Sequence, residues 1–504
     1  MIINDIFVGG ESDSWNDEIN AQSCVNWYPV VGNDKTTKAL RRCPGPKEWA
    51  DVSAGTGADT ITDVYFTLVT SNVGGVAERV FWMAKSSVSG NTHMFFTTID
   101  DSGDAQSIVK YGSLTGSVHH KFGDINDNQE MMLIRNSGSS YEVFDTSALT
   151  LTTYTPGVPL RNLAYMDGFF FTAEFNSNKV YSTDYQDATT LDTTVFGSAI
   201  GRSGDVISIE TDRRFLWVFC EKAVEVWYNA GASGFPLLRN PSVFHEIGTR
   251  SNYATTSIEG KIFFEGIGGK GRIGIYRTNG FNIEKISPET IDKKLAKTDD
   301  MTNTPPSLSS FSYLDTTFVI LFLYDANATQ KETWLYNDET GLWNEYPGYS
   351  AGSYSWLPIN RQIDVTVKGR KILVASNYVR PYSAGTGTSI YELDFEYFLD
   401  DTESSNVLSC ERISAHIYGQ DNKAIAHHRL ELEFSKDTSL AVALSYSDDD
   451  GDNWTSVSTI TASDGKYVWR GLGSSKDRLY KITTSTNVEA TLINSWLDAE
   501  QLNV

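Results

Sequence analysis

Aromatic-bearing strand segments return along this chain with a spacing that few folds can use. They centre on Tyr141, Tyr181, Trp227, Tyr276, Tyr336 and Tyr391, at steps of 40, 46, 49, 60 and 55 residues. YEVFD at 141–145 shows the type. Four-stranded propeller blades run to about 40–50 residues, with loops added. One more unit of this size fits between Thr60 and Ile99. The spacing therefore predicts an all-β chain, a β-propeller of about six or seven blades. A set of β-sandwiches would use the same strand types and is the competing architecture. Radial repetition suits the composition because it leaves few open sheet edges.

The strand signals are local and strong. Arg79–Met83 (RVFWM), Phe215–Cys220 (FLWVFC), Val224–Tyr228 (VEVWY), Lys261–Glu265 (KIFFE), Thr317–Tyr324 and Lys371–Ala375 are rich in β-branched and aromatic residues. Gly, Asn, Asp and Ser clusters separate them. One helix is expected, at SPETIDKKLAK (287–297), with Ser287 as cap, Pro288 in the first turn and Glu289 facing the helix dipole. Near Glu411 the pattern changes to long alternating runs, RISAHIYGQ, HHRLELEFS and LAVALSYSDDDGDNWTSVS. These read as an additional C-terminal antiparallel β domain. The expected division is a segment 1–59 that closes or braces the propeller, a propeller core 60–400, and a C-terminal domain 401–504. A chain of 504 residues exceeds the about 250–300 that one core can hold, which also calls for several units.

Charge excludes one class of function. The net charge is −23 and the pI about 4.7. Domains that grip nucleic acid by its phosphates are usually basic, and the pairs Arg41–Arg42 and Arg213–Arg214 are short and isolated. The four cysteines, Cys24, Cys43, Cys220 and Cys410, form no CxxC. A Cys24–Cys43 bridge is geometrically possible, but buried free thiols are the expectation. The N-terminus lacks a signal-peptide pattern. The longest apolar run, FVILFLY (318–324), is far short of the about 20 residues of a spanning helix.

Four patterns invite a chemical reading. GIGGKG (266–271) matches GxGxxG after a strand, but RIGIYRTNGF follows where a dinucleotide site needs a helix. It reads as a hairpin turn. SDDDGDNW (447–454) fits an Asp box through Ser447, Asp449, Gly451 and Trp454. Its hydroxyl and carboxylate take turn N–H groups, glycine permits the bend and tryptophan packs beneath. A calcium loop starting at Asp124, with Asn126 and Asn128, fails at Gln129 and Arg135, where glycine and glutamate are required. The histidine pairs His119–His120 and His427–His428 are neighbours that a strand sends to opposite faces. No catalytic residue, cofactor or metal is expected from these patterns.

Longer stretches carry more information. They are LAYMDGFFFTA (163–173), KVYSTDYQDATTLD (179–192), SGDVISIETDRRFLWVFCEKAVEVWYNAGASGFPLLR (203–239), GRIGIYRTNGFNIEKISPETID (271–292) and ETWLYNDETGLWNEY (332–346). In this order and spacing they resemble the podophage tail nozzle family, also called tail hub or packaged-DNA stabilisation proteins. The motif residues are Asp167, Gly168, Glu225, Trp227, Tyr228, Asn229, Gly231, Phe235, Pro236, Arg239, Tyr276, Arg277, Gly280 and Ser287. Asn26-Trp27-Tyr28-Pro29 and Cys43-Pro44-Gly45-Pro46 look like the family's opening.

The resemblance is strong over about 161–297 and 332–346 and thin over 50–135 and after 400. It implies a non-enzymatic virion component, made in the host cytoplasm. Such a component is one subunit of a homo-oligomeric ring of six below a portal and adaptor ring. The ring extends the DNA channel, carries tail fibres or spikes, is closed by a needle or plug, and retains packaged DNA until ejection. The motif residues are then fold determinants, with Trp227 and Tyr228 packing and Gly231 turning. A channel that lets DNA slide without specific binding should be acidic, since basic walls hold DNA by counterion release. The other classes to weigh are a carbohydrate-active, sialidase-like propeller and a glycan-binding adhesion propeller.

Overall fold

In the computed structural model, strands take up 64% of residues and helix 3%. It describes residues 2–502 apart from 8–11, 14–20, 32–37, 52–60, 70–78, 87–91, 101–103, 107, 115–119, 136, 270, 299–305, 325–330, 351–352, 356, 358, 366–370, 377–388, 402–405, 420, 422 and 436–438. The sheets follow one another along the chain and stand side by side. Seven strands are innermost: Ile61–Val69, His120–Ile125, Leu160–Met166, Val206–Asp212, Thr255–Ile258, Ser307–Tyr313 and Ile359–Val365. Each touches the next, and the seventh touches the first. The described residues thus form a closed seven-bladed propeller, numbered here as blades one to seven.

The spacing seen in the sequence is the blade period. Tyr141, Tyr181, Trp227, Tyr276, Tyr336 and Tyr391 all lie on the third strand out from the axis, in blades two to seven respectively. The unit placed between Thr60 and Ile99 is blade one, whose strands run from Ile61 to Leu114.

Side chains alternate across a strand, and the described apolar faces of successive blades meet. Met94, Met131 and Phe144 join blades one and two, and Met132, Tyr141 and Phe170 join two and three. Val180, Leu216 and Trp227 join three and four. Trp217, Phe219 and Phe264 join four and five. Each such side chain, fully buried, contributes about 1.5–3 kcal/mol.

Blade seven takes its outer strand from the other end of the chain. Gly45–Asp51 pairs antiparallel with Ser389–Asp394, so closure depends on two remote segments meeting. A Cβ on Gly45 would sit 2.1 Å from the Leu399 carbonyl oxygen, and only glycine fits that approach.

Beside blade six lies a two-sheet β-sandwich, one sheet of which continues from that blade where Leu342–Glu345 pairs with Cys24–Val25. One sheet runs Lys466–Arg470, Ile425–Phe434, Thr491–Gln501, Lys38–Arg42 and Trp27–Val31. The other places Cys24–Val25 beside Cys410–Ile413, then Asp477–Thr484, Leu440–Ser447 and Thr455–Ala462. The first 59 residues therefore divide their strands, most into the sandwich and Gly45–Asp51 into blade seven. A division at 59 and 400 cuts across paired strands. The strand Ile425–Phe434 keeps its alternation of buried and less buried residues on either side of a slip at His428–Arg429, where its register with Thr491–Gln501 shifts.

The opening motif explains how the two bodies hold together. Asn26, buried and left-handed at φ 56°, donates its Nδ2 to the Ser409 carbonyl at 2.8 Å. Trp27 then enters the sandwich core, and Tyr28 enters the core between blades six and seven. Arg42 is buried in the same seam, donating to the Thr486, Val488 and Leu408 carbonyls. All four cysteines are free and buried.

The helix spans Glu289–Leu295 and links blades five and six. Pro288, not Ser287, holds the cap position, and no side chain caps it. Ser287 Oγ instead accepts the Ile275 N–H and donates to Asp292 Oδ1 at 2.5 Å. A competing partner across the hairpin has drawn it away from the helix end.

Candidate functional site

The family-motif residues gather at the boundary of blades three and four. Glu225 and Trp227 lie on the strand Val224–Asn229. Spaced by two, they face the same side, and Trp227 Nε1 donates to Glu225 Oε2 at 2.9 Å. The second oxygen, Oε1, accepts the Gly201 N–H at 2.6 Å, with the Arg239 guanidinium 3.7 Å away. Both oxygens of a side chain only 1% exposed are thus committed. A buried carboxylate needs such donors.

Phe235 stands edge-on to Trp227 at 5.8 Å and to Phe171 at 6.3 Å. Gly197 completes the packing, since a Cβ there would lie 2.4 Å from Phe235 and 2.5 Å from Trp227. The loop after Asn229 is built by a local bond. Asn229 Oδ1 accepts the Gly231 N–H at 3.0 Å while Gly231 takes φ 62°. Asn229 Nδ2 donates to Asp167 Oδ2 at 3.1 Å.

Asp167 and Gly168 form the turn between the first two strands of blade three, both left-handed. Asp167, together with Tyr185, Arg214, Asn229, Gly231 and Pro236, lines an open cavity of about 550 Å³. Tyr228 differs from expectation. It is 37% exposed, because the strand that turns Trp227 inward turns its neighbour outward.

The remaining motif residues sit one blade further on. Tyr276 stacks on Phe264 at 5.7 Å, and burial pushes its hydroxyl pKa up, with nearby Asp292 adding to the shift. Arg277 donates to Glu284 and Asp338, the latter also held by Lys261 at 2.5 Å. Burial opposes the Arg277 charge, but these bonds outweigh it and hold its pKa above the ordinary value. Asp338 belongs to blade six, so the trio clamps two blades. Gly280 makes the hairpin turn at φ 60°. Sequence reasoning missed Gly197, Lys261 and Asp338. Only their contacts across blades mark them.

The other motifs resolve as local structure. GIGGKG runs from the strand Lys261–Gly268 into its antiparallel partner Ile273–Asn279. At the failed calcium loop, Asn126 Oδ1 accepts the Glu130 N–H, and Asn128 donates to the Gln186 carbonyl of the next blade. His427 is buried against Ser475 Oγ, while His428 is half exposed beside Glu500. His119 lies outside the described residues. In the Asp box, Ser447 Oγ donates to Asp449 Oδ1 at 2.6 Å and accepts the Gly451 N–H at 3.0 Å. Lys481 Nζ lies 4.2 Å from the centre of the Trp454 ring.

A family model described as Bacteriophage P22 Gp10, beta-propeller, matches residues 73–362. No curated protein matches the chain. Among solved structures it is similar to the dihydro-heme d1 dehydrogenase NirN in complex with DHE, at 11% identity and a TM-score of 0.38, covering 74% of this chain and 72% of that one. It is also similar to a catalytically inactive virginiamycin B lyase from Staphylococcus aureus with quinupristin, at 12% identity and a TM-score of 0.40, covering 69% and 99%. The WD40 domain of Toxoplasma gondii coronin is similar at 9% identity and a TM-score of 0.35, covering 70% and 87%. Likeness at this level says nothing of what the chain does.

Proposed function

The chain belongs to the family described as Bacteriophage P22 Gp10, beta-propeller, and from that premise we propose that this phage structural protein is a subunit of the tail nozzle ring of a short-tailed virion. The ring, of six copies, extends the DNA channel below the portal and its adaptor ring. It carries fibres or spikes, receives the needle or plug, and keeps the packaged genome in place. The observation that carries this reading is the extent of the family match, which begins in blade one and ends in the innermost strand of blade seven.

Two further features support it. A closed propeller hides most sheet edges and leaves loops and outer strands for heterologous contacts, which a ring requires. The net charge of −23 disfavours tight phosphate binding, so DNA can slide past an acidic wall. Acidic side chains should therefore be enriched on the lumen.

A phage carrying a stop codon in place of Trp27 tests the role. Electron microscopy should show particles with portal and adaptor but a truncated tail and leaked DNA. Intact, DNA-filled particles with a complete tail would overturn the proposal.

A further inference from the structure

The sandwich carries a group of side chains that the nozzle role does not use. We propose that His416, Asp450 and Asp477 bind one divalent transition cation of the zinc type. Their ligand atoms all lie within 4.8 Å of one another, although the three residues come from separate segments. His416 precedes the short strand Ile417–Tyr418, Asp477 opens the strand that pairs with it, and Asp450 sits in the Asp-box turn.

The turn explains why Asp450 faces the histidine. Ser447 and Asp449 spend their side chains holding the loop, through bonds to the Gly451 and Asn453 N–H groups. That leaves Asp450 at φ 58° and Gly451 at φ 95°. Asp448 turns the other way and takes Arg478 with both oxygens, at 2.6 and 2.7 Å. The three successive carboxylates thus have different duties, and the Arg478 charge is already spent. Asp450 and Asp477 remain as two negative charges beside an imidazole.

The imidazole is preset to offer one nitrogen. Its side chain is only 8% exposed, and Nδ1 is the atom turned toward both carboxylates. The ring is anchored through Nδ1, which meets Asp477 Oδ1 and Oδ2 almost equally, at 3.0 and 3.1 Å, and Asp450 Oδ1 at 3.9 Å. Tetrahedral zinc with bonds of about 2.1 Å separates its ligand atoms by about 3.4 Å, which these distances bracket. One nitrogen and two carboxylates suit zinc and its neighbours. Calcium wants six to eight oxygens and magnesium an oxygen octahedron. Three protein ligands leave a fourth position for water or for a group from a partner. The bound cation would pin the Asp-box hairpin to the strand beside it.

The test uses the full-length, tag-free chain, stripped with chelator and titrated with zinc chloride by calorimetry, with calcium and magnesium chloride in parallel. Elemental analysis after dialysis gives the stoichiometry. One zinc equivalent should bind saturably, calcium and magnesium should not, and Asp450→Asn and His416→Gln should each weaken zinc at least tenfold. The Asp450 side chain is 53% exposed, so its variant should keep the wild-type melting temperature in chelator and report on binding alone. No saturable zinc binding, zinc binding unchanged in Asp450→Asn, or calcium bound as tightly as zinc would each overturn the proposal.

Discussion

Trp227, Glu225 and Gly197 act as one unit, because indole, carboxylate and bare backbone occupy a single space between two blades. Trp227→Ala should cost about 3–5 kcal/mol, as for other buried aromatics. Gly197→Ala should cost about 1–3 kcal/mol by overpacking. Urea unfolding followed by fluorescence checks both, and wild-type midpoints would refute the packing described. A second residue-scale effect concerns pH. Burial, with the nearby Arg478 charge, lowers the His427 pKa from 6.5 to about 4. A lowered histidine pKa favours the folded state above the unfolded value, and that stability is lost as pH falls through the folded one. The chain should thus lose on the order of 3 kcal/mol between pH 6.5 and 4 from this residue. His427→Gln should flatten the unfolding midpoint over that window. A profile as steep as wild type would assign the acid sensitivity elsewhere.

At the scale of elements, blades are joined by apolar faces and by a few buried charges. Asp338 is 4% exposed and holds Lys261 and Arg277 of the neighbouring blade. Asp338→Asn should lower stability by about 2 kcal/mol, more in low salt than in high, because the two cations are then left side by side. A melting temperature equal to wild type would show that the clamp contributes nothing.

Element type and period were legible in the sequence because third-strand aromatics recur at blade spacing, and Tyr141, Tyr181 and Tyr336 needed no structure to be placed. Ser287 reads as the helix cap because its real partners were not legible: Ile275 meets it across a hairpin, and Asp292 reaches back to it from inside the helix. Tyr228 was misread as packed because its neighbour Trp227 is. The cavity beside Asp167 joins turns of two blades that no local pattern connects.

At the scale of the whole molecule, the N-terminal strands bind propeller and sandwich into one body. Trp27 and Tyr28, adjacent in sequence, enter different cores, and Gly45–Asp51 completes blade seven. Removing residues 1–51 should leave no cooperative unfolding transition for either body, read by calorimetry. A truncated chain that still melts in one sharp transition would contradict that coupling. The glycine-to-valine change at Gly45 should act in the same direction through one atom's clash with Leu399.

Cryo-electron microscopy of the virion tail tests the proposed nozzle role. It should show a ring of six seven-bladed propellers below the adaptor, fitted by these blades, around a channel whose wall is net acidic. A tail whose channel is walled by another chain, or a wall of this chain that is net basic, would contradict it.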